Sequence, residues 1–296
     1  MPRFSIAAYG LATAELLPLA QAAEQAGFEL LWLGEHLVIP STVGSSHPTS
    51  SAAAADPLDE PVLSPGTVLN DPWVSLAAVA AGTTRLRLAT GILVLPLQHP
   101  LLVARAAATL QALSGDRFSL GVGAGWVREE FDALGISFDE RGSRFDEQLD
   151  ILRAAWAGGA ISYRGGHFSF DDVQVCGDQV RVPIVVGGHS PPALRRAARN
   201  ADGWLSSGVA DLDEAVRCRD ELHRLRAGHH ERPFVHYVRL AQPDPDLVAG
   251  CVARGFEDLV LWADQLWPRD PSIPVSEKAE LLSERAARLR VLELSR

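Results

Sequence analysis

The chain has 296 residues, 47% of them hydrophobic and 22% charged, with a formal charge of −10; this suffices for one large core at a length common to single α/β barrels. Phosphate-binding surfaces need clustered Lys and Arg, so the acidic balance argues against nucleic acid as a partner. No stretch approaches eighteen uninterrupted apolar residues and the opening "MPRFSIAAYG" has no signal or transit pattern, so no membrane span and a cytoplasmic location are expected.

Short apolar runs alternate with longer amphipathic ones along the whole chain. The first strand is expected at Arg3 to Gly10 and the second, "LLWLGE", at Leu30 to Glu35, separated by a helix at Thr13 to Gly27. An insertion from Val38 to Asn70, rich in Ser, Ala and Pro, follows the second strand; it reads as a lid or as a disordered surface loop. A helix at Pro72 to Gly82 leads to strand three, Leu86 to Leu95, and a helix at Pro100 to Leu113 leads to strand four, Arg117 to Gly123. After a helix at Ser143 to Trp156, the stretch Ala157 to Arg181 reads as a small β-hairpin inserted before strand five, Val182 to Gly188. Strands six to eight fall at Asp202 to Ser207, Pro233 to Leu240 and Phe256 to Ala263. Their helices, with that of strand five, fall at Pro191 to Asn200, Leu212 to Ala227, Pro245 to Gly255 and Ser276 to Leu294.

Eight strand-and-helix units in one run predict a (β/α)8 TIM barrel as a single domain over residues 1–296, with an open doubly wound sheet as the rival. Helix ends carry punctuation: Gly27, Gly82, Gly115 and Gly255 read as left-handed caps. Asp71 before Pro72 reads as an N-cap with proline at the first helical position, and "DPDL" at Asp244 to Leu247 repeats the device.

Several stretches could carry chemistry. His36 directly follows strand two beside the carboxylate of Glu35, which suits proton transfer near neutral pH; a histidine merely bonded at a strand end is the alternative. "GVGAGW" at Gly121 to Trp126 fails as a dinucleotide fingerprint because Trp126 stands where a glycine is needed. It marks either close packing at the barrel mouth or a tight turn. "GGHS", Gly187 to Ser190, precedes two prolines that open a helix, which suits a phosphate or a simple cap. The internal glycine of "LATGILVLPLQHP" suggests a bulge, and His99 before Pro100 reads as a ligand contact or a cap. Cys176, Cys218 and Cys251 are odd in number and show no metal spacing, so they read as buried or incidental thiols and no metal is expected. Lys278 is the only lysine, which argues against lysine nucleophiles.

The sequence resembles the luciferase-like monooxygenase superfamily, in its branch of deazaflavin-dependent oxidoreductases, most densely from about Ala20 to Gly208. The resemblance rests on "AEQAGFELLWLGEHLVIP", on "DPWVSLAAVAAGTTRLRLATGILVLPLQHP" continuing through "GVGAGWVREEFDALGISFDERGSRFDEQLDILRAAW", and on "PIVVGGHSPPALRRAARNADGW". It implies coenzyme F420 or FMN at the C-terminal mouth, with ring contacts from Glu35, His36, Thr90, Gly91 and Ile92. Phosphate contacts are implied at Gly187, Gly188, His189 and Ser190, and a cis peptide at Gly91–Ile92. His36 matches an acid/base position, and Trp126 and Glu129 match positions facing ring and substrate. Relatives are often dimers, so a homodimer is an implication too. The chain departs from its relatives in having "VCGDQVR" where a Pro-Lys-Pro stretch is common, and in lacking aromatic residues in the second-strand insertion. Arg141 and Arg144 are candidates for a polyglutamate tail of F420.

The expected function is F420-dependent hydride transfer to or from a small-molecule substrate, with His36 as acid/base. The alternatives are an FMN-dependent monooxygenase on the same barrel and, from another class, a non-catalytic flavin-binding barrel.

Overall fold

Residues 2–41, 67–177, 180–207, 212–228, 232–240 and 245–294 are described by the structure, a computed structural model. The strands are β1 (Arg3–Ala8), β2 (Leu30–Leu33), β3 (Arg87–Thr90), β4 (Leu93–Val94), β5 (Phe118–Gly123), β6 (Ile161–Arg164), β7 (Ser169–Val173), β8 (Ile184–Gly187), β9 (Gly203–Leu205), β10 (Val235–Arg239) and β11 (Asp258–Trp262). The helices are α1 (Thr13–Gln25), α2 (Pro72–Gly82), α3 (Pro100–Ser114), α4 (Arg128–Ala133), α5 (Arg141–Ala157), α6 (Pro191–Asn200), α7 (Leu212–Arg226), α8 (Pro245–Ala253) and α9 (Val275–Leu294).

Nine strand segments pair in the order β3-β2-β1-β11-β10-β9-β8-β5-β4, and a β3–β5 pairing closes the ring. Because β3 and β4 are two halves of one strand, the barrel has eight staves, all parallel, as the alternation predicts. The rival open sheet is excluded by that closure. The inserted hairpin is β6 paired antiparallel with β7, as expected. Of the second-strand insertion, 42–66 lie outside the described residues, and so does Asp244 of "DPDL".

Alternation along each strand divides the core into two layers. Ala7, Leu30, Trp32, Ala89, Val185, Leu205, Tyr237 and Val260 fill the barrel interior. Trp32 meets Tyr237 edge-on there, with ring centroids 4.9 Å apart. The outward-facing residues, such as Ile6, Leu31, Leu88, Leu120 and Val186, pack against the helices. A fully buried aliphatic side chain of this kind stabilises the fold by about 1.5–3 kcal/mol.

Helix ends follow local chemistry. Asp71 accepts from Val74 N at 3.0 Å, and His99 Nδ1 accepts from Leu101 N at 3.3 Å, so His99 is a cap. Gly27, Gly115 and Gly255 adopt positive φ, as expected. Gly82 does not: it is the last residue of α2, and a Cβ there would collide with Leu17 of α1. The short helix α4 was not expected from the sequence. Among the described residues, no helix is long and apolar enough to cross a membrane.

Candidate active site at the barrel mouth

The third stave carries the predicted bulge. Ala89 pairs with Ser119 and Leu93 with Val122, so the stave holds one residue more than its neighbour between those points. The Gly91–Ile92 peptide within it is cis. The three residues of the bulge serve different ends. Thr90 is fully buried and its hydroxyl donates to Gly121 O at 2.6 Å, so its side chain does not reach the mouth, contrary to the implied ring contact. Gly91 is also buried. Its N–H donates to Leu33 O at 2.6 Å, its carbonyl accepts from Tyr9 Oη at 2.9 Å, and a Cβ would press on Trp32. Ile92 alone of the three is half-exposed.

The glycines of "GVGAGW" and "GGHS" make room for this bulge. A Cβ on Gly121 would collide with the Thr90 carbonyl, and Cβ atoms on Gly123 and Gly187 would meet the Ile92 side chain at 2.6 Å and 3.2 Å. Gly187 therefore lies close against Ile92, with little room for a side chain between them. The close-packing reading of Gly121 and Gly123 is the one the structure supports.

His36 follows β2 with its side chain 7% exposed, and its Nδ1 lies 2.9 Å from Oε2 of Glu130, a carboxyl that is itself 1% exposed. Glu130 Oε1 also accepts from Leu37 N at 2.6 Å and Val38 N at 3.4 Å. With Glu130 accepting, Nδ1 carries the hydrogen and Nε2 is left as an acceptor. Trp126 stands edge-on to His36, with ring centroids 6.1 Å apart. Glu129 is half-buried on the first turn of α4. One residue along a helix turns the side chain by roughly 100°, so Glu130, and not Glu129, is the residue that meets His36.

Glu35 is separated from its neighbour His36 in both contacts and environment. Its carboxyl is 3% exposed and accepts from Val94 N at 3.0 Å and Gln98 Nε2 at 3.1 Å. Burial pushes this carboxyl up to about 8, against the pull of the Val94 N–H and with Glu130 nearby adding to the rise. Its bonds tie the end of β2 to β4, so it braces the bulge from behind.

At the start of α6 the arrangement differs from the implied phosphate cradle. Pro191 and Pro192 have no N–H, and Ala193 N points to Ser190 Oγ at 3.4 Å. Gly188 N donates to Leu205 O, and Gly188 O accepts from Trp204 Nε1 at 2.8 Å. The His189 ring is fixed by Glu214 at 2.8 Å on Nδ1 and by Ser207 N at 2.9 Å on Nε2, so it faces α7 and the end of β9. What this corner offers an anion is the exposed Ser190 with its hydroxyl. Arg141 and Arg144 cap other features: Arg141 lies 3.8 Å over Phe138, and Arg144 donates to Pro96 O at 2.8 Å.

The sequence reading missed four residues of the mouth: Tyr9, Glu130, Arg239 and Trp262. Tyr9 and Trp262 lie 5.6 Å apart, and Arg239 lies over Trp262. The period-2 pattern of β1, β10 and β11 could have placed Tyr9, Arg239 and Trp262 on the inner face. Nothing local could have separated Glu130 from Glu129 without α4. Of the thiols, Cys176 is exposed while Cys218 and Cys251 are buried, and burial pushes both of the latter up to about 11.

The family described as luciferase-like monooxygenase matches residues 4–242, beyond the stretch that carries the motif resemblance. An uncharacterized protein of Mycobacterium tuberculosis is 34% identical over 248 residues, covering 83% of each chain. The F420-dependent glucose-6-phosphate dehydrogenase of Beutenbergia cavernae is 32% identical over 207 residues, which are 68% of this chain and 55% of that one. A solved F420-dependent secondary alcohol dehydrogenase, in complex with an F420–acetone adduct, shares the fold with a TM-score of 0.72 at 15% identity, over 97% of this chain and 99% of that one. With a match across most of its length and the bulged third stave in place, the chain belongs to the luciferase-like monooxygenase family.

Proposed function

We propose that the protein is a coenzyme F420-dependent oxidoreductase acting on a small organic substrate, with His36 as the acid/base. The observation that carries this reading is the buried Glu130 carboxyl holding His36 Nδ1 at 2.9 Å just past the end of β2, which leaves Nε2 as the ring atom to take up or give a proton. The similarity to an F420-dependent dehydrogenase over 68% of the chain supports the choice of cofactor.

The residues of the mouth fit a planar ring with an anionic tail. Ile92 and Trp126 supply apolar surface, and the start of α6 supplies the exposed Ser190 hydroxyl. When bound, F420 supplies hydride exchange at its C5 and reacts poorly with oxygen. His36 Nε2 takes the proton of a substrate hydroxyl on oxidation and returns it on reduction. Glu130 fixes the ring orientation and stabilises the imidazolium while that proton is held.

The test is equilibrium binding of F420 and of FMN to the purified protein, read by fluorescence quenching, followed by a screen of alcohols, imines and enones. F420 is expected to bind more tightly, and His36→Ala is expected to bind F420 while losing turnover. A preference for FMN would move the protein to oxygen-activating chemistry, and binding of neither would overturn the enzymatic reading.

A further inference from the structure

Arg239 ends β10 at the same mouth. Side chains alternate along a strand, and Val235 and Tyr237 belong to the barrel interior, so Arg239 is the next residue on that inward face. It is 6% exposed. Its Cζ lies 4.4 Å over the Trp262 ring. Among the described residues, its Nε has no hydrogen-bond partner. Burial pulls the guanidinium below its usual range, and among the described residues Tyr9, not a carboxylate, works against that.

Taking a guanidinium out of water without a counter-charge is costly. Stacking on a tryptophan offsets only part of that cost. Structural arginines in this chain look different: Arg3 pairs with Asp258 at 2.6 Å, and Arg117 donates to the carbonyls of Ala80, Thr83 and Leu86. Arg239 thus keeps its buried Nε donor unpaired among the described residues, in a place nearly closed to bulk water. Its planar fork matches the two oxygens of a carboxylate.

We propose that Arg239 is the recognition point for a carboxylate on the organic substrate that reacts at His36. Tyr9 links the two regions: it packs on Trp262, which Arg239 covers, and its hydroxyl holds the Gly91 carbonyl of the bulge. The carboxylate position and the bulge thus share one wall. Assigning the carboxylate to the substrate rests on the proposed oxidoreductase activity, whereas the anion position itself does not.

The experiment compares wild type with Arg239→Met by thermal melting in chloride, in a carboxylate series from acetate to adipate and in inorganic phosphate, at matched ionic strength. F420 affinity is measured in parallel by fluorescence. Carboxylates are expected to raise the wild-type melting temperature above its value in chloride, because they bind the folded state alone. Arg239→Met is expected to melt higher than wild type in chloride, to ignore carboxylates and to keep its F420 Kd within about threefold. The proposal is overturned if wild type answers carboxylates no more than chloride, if phosphate alone stabilises it, or if Arg239→Met melts lower in chloride, which would mark a structural guanidinium. A loss of F420 affinity of about tenfold would assign the anion to the cofactor and overturn the substrate assignment. If carboxylates stabilise through Arg239 but F420 does not bind, the anion position stands and the oxidoreductase reading falls.

Discussion

His36 Nδ1 and Glu130 Oε2 lie 2.9 Å apart, with the carboxyl 1% exposed and also accepting from Leu37 N and Val38 N. The loop that carries the histidine and the ring itself are therefore set by one side chain from α4. Glu130→Gln is expected to lower kcat by about 100-fold, the typical worth of a well-placed acid/base, with a smaller change in KM. Steady-state kinetics with the cognate substrate checks this. Nitrogen-15 NMR of the imidazole should show a mixture of tautomers where wild type shows one.

Glu35 makes stability depend on pH. Its carboxyl is raised from 4.5 to about 8 in the folded protein, so between those values the unfolded chain has released a proton that the folded chain still holds. Stability is full below the unfolded value, falls as the pH rises towards about 8, and is flat beyond. Wild type is expected to lose on the order of a few kcal/mol across that window, and Glu35→Gln much less. Urea denaturation of both proteins at about pH 5 and about pH 8.5 measures the difference; equal losses would refute it.

Gly121 has no room for a side chain, because a Cβ would collide with the Thr90 carbonyl, and a backbone atom held by its own sheet cannot swing aside. Gly121→Ala is expected to destabilise the protein by about 1–3 kcal/mol or more and to disturb the Thr90 hydroxyl bond to Gly121 O. Thermal unfolding checks the first effect, and weakened cofactor binding the second.

Lys278 is 1% exposed and bonds Glu15 at 2.7 Å, joining α9 to α1 where the last unit of the barrel meets the first. Lys278→Met is expected to cost about 3 kcal/mol, because it leaves the Glu15 carboxylate unpaired. The double variant Lys278→Met/Glu15→Leu should recover most of that loss. A double-mutant cycle by denaturant titration decides it; additive losses would show that the pair is not coupled.

The barrel was legible because its signals are local. The apolar runs and their spacing mark each stave, and Asp71–Pro72 and His99–Pro100 mark helix starts that the structure repeats. The bulge was legible too, since a lone glycine in "LATGILVL" breaks an otherwise continuous strand.

Roles within the site were less so. Sequence placed His36, Glu35, Thr90 and Gly91 together, yet Thr90 and Glu35 turn into the wall while His36 turns to Glu130. Which of two adjacent glutamates meets His36 depends on the pitch of α4, and that helix follows a strand separated from β2 by the whole third unit. The sequence by itself determined the alternation of elements, the closed barrel and the stretch that forms its mouth, because burial period and turn chemistry act over a few residues. Only the tertiary structure decided that Glu130 holds His36 and that Arg239 lies at the mouth over Trp262 with no carboxylate paired to it among the described residues, because both depend on which side chains the closed ring brings together from distant parts of the chain.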